Sequence, residues 1–374
     1  MVFFNQGAFG ATLLELMETQ DDWRRRMERQ TARFFMGELP GLINEVTARV
    51  ASFAGAATER TVMIENASAG IMTALEACTF EPGDRIVTTD HVYGAVRRAL
   101  AHVASRTGAE VVEVAVPVPV SGPEDFLAAL DPAIDGHTRL VVVDHIASPT
   151  SLVLPVEDIA ALCRDRGARL LVDAAHAPGL VDLAVDRLGA DFYVANCHKW
   201  LCAPKGSGFL IVGAAAAAEL DVHPLVISHA YGQGLGAEFA KTGTRDPSAW
   251  LTVPASIDAH ERLGGAALRD RNARLAFEGG SYVADALGTA LSGPEGMLAG
   301  MVSVRLPDGF GASSWERGGQ IREALWQQDR IEAIVAPHSG SLWLRLCVFA
   351  YSGFDEFERV ASAVRHLQAV EAGR

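Results

Sequence analysis

The sequence predicts an α/β fold: a large domain built on a mainly parallel sheet, followed by a smaller C-terminal α+β domain. The first sign is a recurring apolar, β-branched run, at 61–64, 85–88, 140–143, 170–172, 192–195 and 209–212, with helical stretches between. Strands alternating with helices argue for a parallel sheet covered on both faces. The second sign is a polar segment closing five of these runs: Asn66-Ala67-Ser68, then Asp90-His91-Val92-Tyr93, then Asp144-His145 and Ser148, then Asp173 and His176, then Asn196, His198 and Lys199. Such sheets bind ligands beyond the carboxyl ends of their strands. Burying so many polar groups there without a ligand would be expensive. The third sign is a change of pattern after about residue 250, where a long helical stretch precedes three further strand-like runs.

Taken in order, residues 1–20 read as an arm folding over the active site, 21–250 as the large domain and 251–374 as the small one. Arg24, Arg25, Arg26 and Arg29 are diluted by Asp21, Asp22 and Glu28, the mark of a solvated helix face. The 66–70 segment is small and sits where a strand turns into a helix. The 116–123 loop, VPVPVSGP, is Pro-rich and rigid. Residues 214–218 are an alanine run fit for a helical turn. Residues 251–280 read as one long helix. Strands are expected at 302–306, 331–335 and 342–348, and a closing helix at 354–370. Ser352 with Asp355 three residues on resembles a capping box at its start.

Composition bounds the function. A chain of 374 residues exceeds one small core. With 49% hydrophobic and 21% charged residues it is an ordinary soluble globular protein. A net charge of -14 argues against nucleic-acid partners, which require a basic stripe. The start, MVFFNQGAFG, lacks the cationic and apolar regions of a signal peptide. The apolar run 208–218 is too short to span a bilayer, so no membrane role is expected. Cys78, Cys163, Cys197, Cys202 and Cys347 show no metal spacing, and no metal is expected. Their odd number without a secretory signal suits reduced thiols and a cytoplasmic location.

The chemistry concentrates between 169 and 208. Asp173 and Lys199 end two buried strands, as pyridoxal 5'-phosphate (PLP) chemistry requires: the lysine forms the Schiff base, and the aspartate keeps the pyridine nitrogen protonated. Singly, each residue is ordinary. Most lysines are solvated, as Lys205 is expected to be, and an Asp after a strand is usually a turn residue. Together, strand–D-x-x-H, strand–N-x-H-K-W and a Gly-rich turn resemble the class V aminotransferase family, most of all its isopenicillin N epimerase-like branch. The resemblance covers nearly the whole chain. It implies the PLP-dependent transferase fold type I, PLP as cofactor, an amino-acid substrate and a homodimer with shared active sites.

The same resemblance implies roles for further residues. Ala67 and Ser68 would contact the phosphate at a helix N-terminus. Tyr93 would stack on the pyridine, with His91 in its place if the register slips by two. Ser148 would touch the ring, His176 the phenolic oxygen and His198 the phosphate. Thr244, in Lys241-Thr242-Gly243-Thr244-Arg245-Asp246, would complete the partner subunit's phosphate cradle. Arg345 would bind the substrate carboxylate, a bidentate task suited to arginine. It lies in an apolar strand, where an arginine without an anion is expensive. Trp200 reads as packing. Two positions depart from the family pattern: Gln6 stands where His is usual, and Ser352 where Asn is common.

The reaction is less legible than the cofactor. Lys199 is the expected base for the substrate Cα proton. Ala336-Pro337-His338-Ser339-Gly340-Ser341 carries no cysteine, which argues against persulfide-forming desulfuration. The leading expectation is β-elimination from a cysteine S-conjugate, a C–S lyase reaction in specialised biosynthesis. Epimerisation is the second, with reprotonation from the opposite face by water, Tyr93 or His91. Transamination and decarboxylation-coupled deamination stand behind these. A ligand sensor of a transcription regulator is disfavoured by the lack of a basic face, and a degenerate structural homologue by the presence of Lys199, Asp173 and Arg345. Specificity is expected in the arm, the 117–123 loop and the 225–240 segment.

Overall fold

Six strands run parallel and one antiparallel in the central sheet of the computed structural model, which describes residues 1–372. In chain order the strands are β1 (Val2–Phe3), β2 (Thr61–Ile64), β3 (Arg85–Thr89), β4 (Glu110–Val114), β5 (Thr138–Asp144), β6 (Arg169–Ala174), β7 (Phe192–Asn196), β8 (Gly208–Val212), β9 (Met301–Arg305), β10 (Ile331–Glu332), β11 (Ile334–His338) and β12 (Ser341–Cys347). The central sheet has the order β2-β8-β7-β6-β5-β3-β4, with β8 antiparallel to both neighbours.

Both faces of this sheet are apolar because both are covered. Val141, Val143, Leu170 and Val172 pack with Val46, Val50 and Ile159 of the helices Leu39–Ala54 and Val156–Arg166. The alternate residues Leu140, Val142 and Leu171 pack with Ile71, Leu75, Val96 and Leu100 of the helices Ala67–Ala77 and Gly94–Thr107. The period of two along each strand thus feeds two separate cores. Strand β4 was not expected. Its sequence, EVVEV, lies at a sheet edge and stays partly exposed, so it lacks the continuous apolar run of its neighbours.

The C-terminal part carries the antiparallel sheet β11-β12-β9, flanked by the helices Ala266–Leu287 and Trp315–Asp329, with the helix Phe354–Ala372 packed on the first. The single helix expected over 251–280 is broken. One helix ends at Arg262 and the next begins at Ala266, with Gly264 (φ 125°) and Gly265 (φ 52°) in backbone conformations that stop a helix. The run expected at 331–335 is also split: β10 pairs in parallel with β1 of the N-terminal arm, while β11 pairs with β12. The cap of the last helix lies one residue later than expected. Glu356 accepts from the Gly353 N–H, and the Ser352 hydroxyl accepts from Phe349 instead. No helix among the described residues is long and apolar enough to cross a membrane. All five cysteines are free thiols.

Candidate active site

The parallel strands bring their carboxyl ends to one place. Asp144 ends β5, Asp173 is the penultimate residue of β6 and Asn196 ends β7. Asp144 and Asp173 are register partners, as are Asp173 and Val194, so Asp144, Asp173 and Asn196 all leave the same face of the sheet. The Asn196 side chain accepts from the Ala67 N–H at 2.8 Å, tying β7 to the start of the helix Ala67–Ala77. Lys199 follows three residues after β7.

The Lys199 amine lies 3.1 Å from His176 Nε2. The Trp200 indole donates to His176 Nδ1 at 3.3 Å. An indole can only donate, so Nδ1 must accept and the ring proton sits on Nε2. Trp200 therefore does more than pack: it selects the tautomer that presents an N–H at the Lys199 end. Burial, with the charges of Lys199 and Arg345, holds His176 far below the ordinary imidazole range and keeps it neutral. Burial also lowers the Lys199 amine to about 8, against the opposing attraction of Asp173. Burial raises Asp173 above the usual carboxylate range, and the Ala175 N–H at 3.0 Å and Lys199 work against that rise.

The N-terminal arm clamps this segment. Gln6 is fully buried, donates to the Lys199 carbonyl at 2.8 Å, and accepts from the Ala11 N–H and the Tyr351 hydroxyl. Gly10 has φ 70°, and a Cβ there would lie 1.8 Å from the His198 carbonyl oxygen. Lys205, expected as a solvated charge, is exposed and also donates to the Gly10 carbonyl at 2.7 Å. The arm and the lysine loop are thus one unit.

Arg345 on β12 reaches in from the small sheet and is 3% exposed. Its hydrogen bonds go to the Ser148 carbonyl and hydroxyl, at 2.9 and 2.8 Å, and its Nε is buried without a partner. A buried guanidinium held by neutral oxygens is a site for an anion. Tyr93, Ser148, Lys199 and Arg345 line one cavity of about 490 Å³. Tyr93 opens to it and is 47% exposed, whereas His91 is fully buried, bonded to Thr150 and Val116 and packed on His338. Of the two, Tyr93 alone is free to stack on a ligand. A larger cleft of about 760 Å³ lies at the amino ends of the strands, where three of its four arginines, Arg60, Arg139 and Arg169, already face carboxylates.

Other expected contacts fall differently. The Ala67 N–H is committed to Asn196 and the Ala69 N–H to the Asn66 side chain. Exposed Ser68 remains at the helix start. His198 bonds the Ser207 carbonyl at 3.3 Å, and burial lowers its ring to about 4. Thr244 is exposed and lies beside Met27 and Thr31, away from the cavity of its own chain. Asp144 and Asn196 belong to the site and were not singled out. Their signal was the same as that of Asp173, a polar residue closing an apolar strand.

The donor set fits PLP: a lysine amine, a carboxylate at the adjacent strand end, the exposed Ser68 at a helix N-terminus, an exposed ring and a buried arginine with an orphaned N–H. Fold and site together define a PLP-dependent enzyme of fold type I. The sequence profile of Aminotransferase class-V matches residues 11–314. The chain belongs to the class-V aminotransferase family. It is 32% identical over 382 residues to isopenicillin N epimerase of Streptomyces clavuligerus, covering 97% of this chain and 94% of that one. It is 29% identical over 395 residues to L-cysteine desulfhydrase of Arabidopsis thaliana, covering 97% and 87%. Among solved structures it resembles the cystine C–S lyase C-DES in complex with cysteine persulfide, with TM-score 0.80, 22% identity and coverage of 97% and 96%. Cysteine desulfurase from Thermococcus onnurineus NA1 is similar at TM-score 0.78, 20% identity and coverage of 100% and 95%.

Proposed function

We propose that the protein is a C–S lyase that removes the β-sulfur substituent of a cysteine S-conjugate, releasing a thiol, pyruvate and ammonia with uptake of one water. The observation that carries this reading is the pairing of one lowered amine, Lys199, with a roomy cavity behind a carboxylate-binding arginine. Bound PLP supplies an electron sink for the charge that develops at the substrate Cα. Lys199 removes the Cα proton, which its lowered amine does as a neutral base near pH 8. Arg345 holds the α-carboxylate, with Ser148 steadying the guanidinium. Asp173 would face the ring nitrogen, His176 would offer its Nε2–H to the phenolic oxygen, Ser68 and His198 would hold the phosphate, and Tyr93 would cover the ring and exclude water.

The cavity supports a substrate larger than cysteine. Its outer wall holds Phe9, Trp315 and Trp326, with Phe9 and Trp315 76% and 66% exposed. These rings suit an apolar or aromatic sulfur substituent. L-cysteine desulfhydrase and isopenicillin N epimerase relatives support elimination and epimerisation respectively. Elimination needs one base, and the site offers one placed amine.

Incubation with aryl and alkyl cysteine S-conjugates in deuterium oxide tests the reading. Pyruvate and free thiol in equal amounts are expected, and Arg345→Ala is expected to raise KM by about 100-fold. Deuterated, stereochemically scrambled amino acid without thiol would replace lyase by epimerase.

A further inference from the structure

The site holds two carboxyls where the proposed reaction uses one. Asp144 and Asp173 are register partners on adjacent parallel strands, which places their backbones about 4.8 Å apart with side chains on one face. They are 3% and 4% exposed. Their surroundings are unequal. Asp173 accepts from the Ala175 N–H at 3.0 Å. The Asp144 carboxyl lies by the main-chain N–H of Tyr93, which works against its protonation, and its Oδ2 is buried with no partner. Lys199 is the one cation acting on both. The flanking His145 is neutral: burial lowers it to about 4, and its Nδ1 bonds the Tyr193 hydroxyl at 2.8 Å. His176 is neutral too. Two buried carboxylates side by side with one cation do not both ionise, because like charges at this range repel strongly when water is excluded. Burial and the Asp173 charge both favour the proton on Asp144. Oδ2, which no N–H or O–H reaches, is the oxygen free to carry that proton.

We propose that Asp144 is a positioning residue of the cofactor site: a neutral carboxylic acid that holds the one proton of the Asp144–Asp173 pair and leaves Asp173 the single anion opposite the ring nitrogen. The proposal rests on the assignment of Asp173 to the ring nitrogen but not on the identity of the substrate. Its consequence is that the ring-nitrogen partner stays singly charged and correctly oriented across neutral pH.

Asp144→Asn tests it, since asparagine keeps the shape and a donor but cannot ionise. PLP affinity and the thermal midpoint of the cofactor-free protein are measured from pH 5 to 8, without substrate. Affinity within about threefold of wild type is expected for Asp144→Asn, and a loss of about tenfold or more for Asp144→Ala, which has no donor. The sign of the pH effect comes from the raised proton affinity of Asp144: wild type keeps this contribution below the unfolded carboxylate range and loses it as pH rises through the folded value. The midpoint of the cofactor-free Asp144→Asn protein should therefore gain on wild type as pH rises. A tenfold loss of PLP by Asp144→Asn would overturn the proposal, because the ionised carboxylate would then be the required form. Asp173→Asn separates the underlying assignment: it should lose PLP, and unchanged affinity there would remove the ring-nitrogen reading and this proposal with it. If Asp144→Ala does not fold, Asp144→Asn alone decides. A protein that binds PLP as described yet yields no thiol refutes the lyase reading and leaves this one standing.

Discussion

An amine buried among apolar groups gives up its proton more readily than one in water, and Lys199 shows this with a value near 8. The neutral form is the nucleophile toward the PLP aldehyde as well as the base toward substrate. The rate of PLP uptake by cofactor-free protein should therefore rise about tenfold between pH 7 and pH 9, with a midpoint near 8. Stopped-flow absorbance of the bound cofactor measures it. A rate flat across this window would mean that the lysine amine is already neutral at pH 7. The neighbouring residues keep the same logic. His176 is neutral with its proton on Nε2 because Trp200 occupies Nδ1. That selection was invisible in the sequence, where Trp200 reads as packing, since nothing in H-K-W says which ring nitrogen the indole meets.

At the scale of elements, the arm and the lysine loop stand or fall together. Gly10 crosses the loop so closely that any side chain collides with the His198 carbonyl. Gly10→Ala is expected to destabilise by roughly 3 kcal/mol, a strained backbone and a steric clash together. It should also loosen PLP, because Gln6 then loses its hold on the Lys199 carbonyl. Thermal melts with and without PLP read both effects, and a midpoint unchanged in both states would refute the clamp. The sequence marked the arm as lying over the site but not its grip, which depends on contacts almost 200 residues apart in the chain. Strand ends were legible for a local reason: an apolar run closed by Asp, His or Asn is written in consecutive residues. The edge strand β4, the reversed direction of β8 and the break at Gly264-Gly265 were not, because edge exposure, strand direction and the stopping power of a glycine pair are decided by packing. The commitment of the Ala67 N–H was hidden for the same reason. Its acceptor, Asn196, comes from a strand 129 residues away.

At the scale of the whole molecule, the prediction is that one copy of the chain is incomplete as a site. Thr244 lies outside its own cavity, on a surface loop where Arg245 stacks on Trp250 at 3.7 Å and pairs with Glu65. Nearby in sequence, Leu225, Val226, Ile227 and Tyr231 are 49 to 58% exposed. A run of large apolar side chains left in water calls for a covering surface, and the expected one is a symmetric second copy that would turn the 241–246 loop toward the other site. The test is complementation. Lys199→Ala lacks the base in its own site but carries an intact Thr244. Thr244→Asp has an intact base but sets a negative charge where its partner's phosphate should bind. Each variant alone should be nearly inactive. Mixed in equal amounts and allowed to exchange, half the dimers are hybrids with one complete site each, so activity should recover to about a quarter of wild type. If Thr244 acted within its own chain, hybrids would gain nothing, and the mixture would show only the average of its two parents.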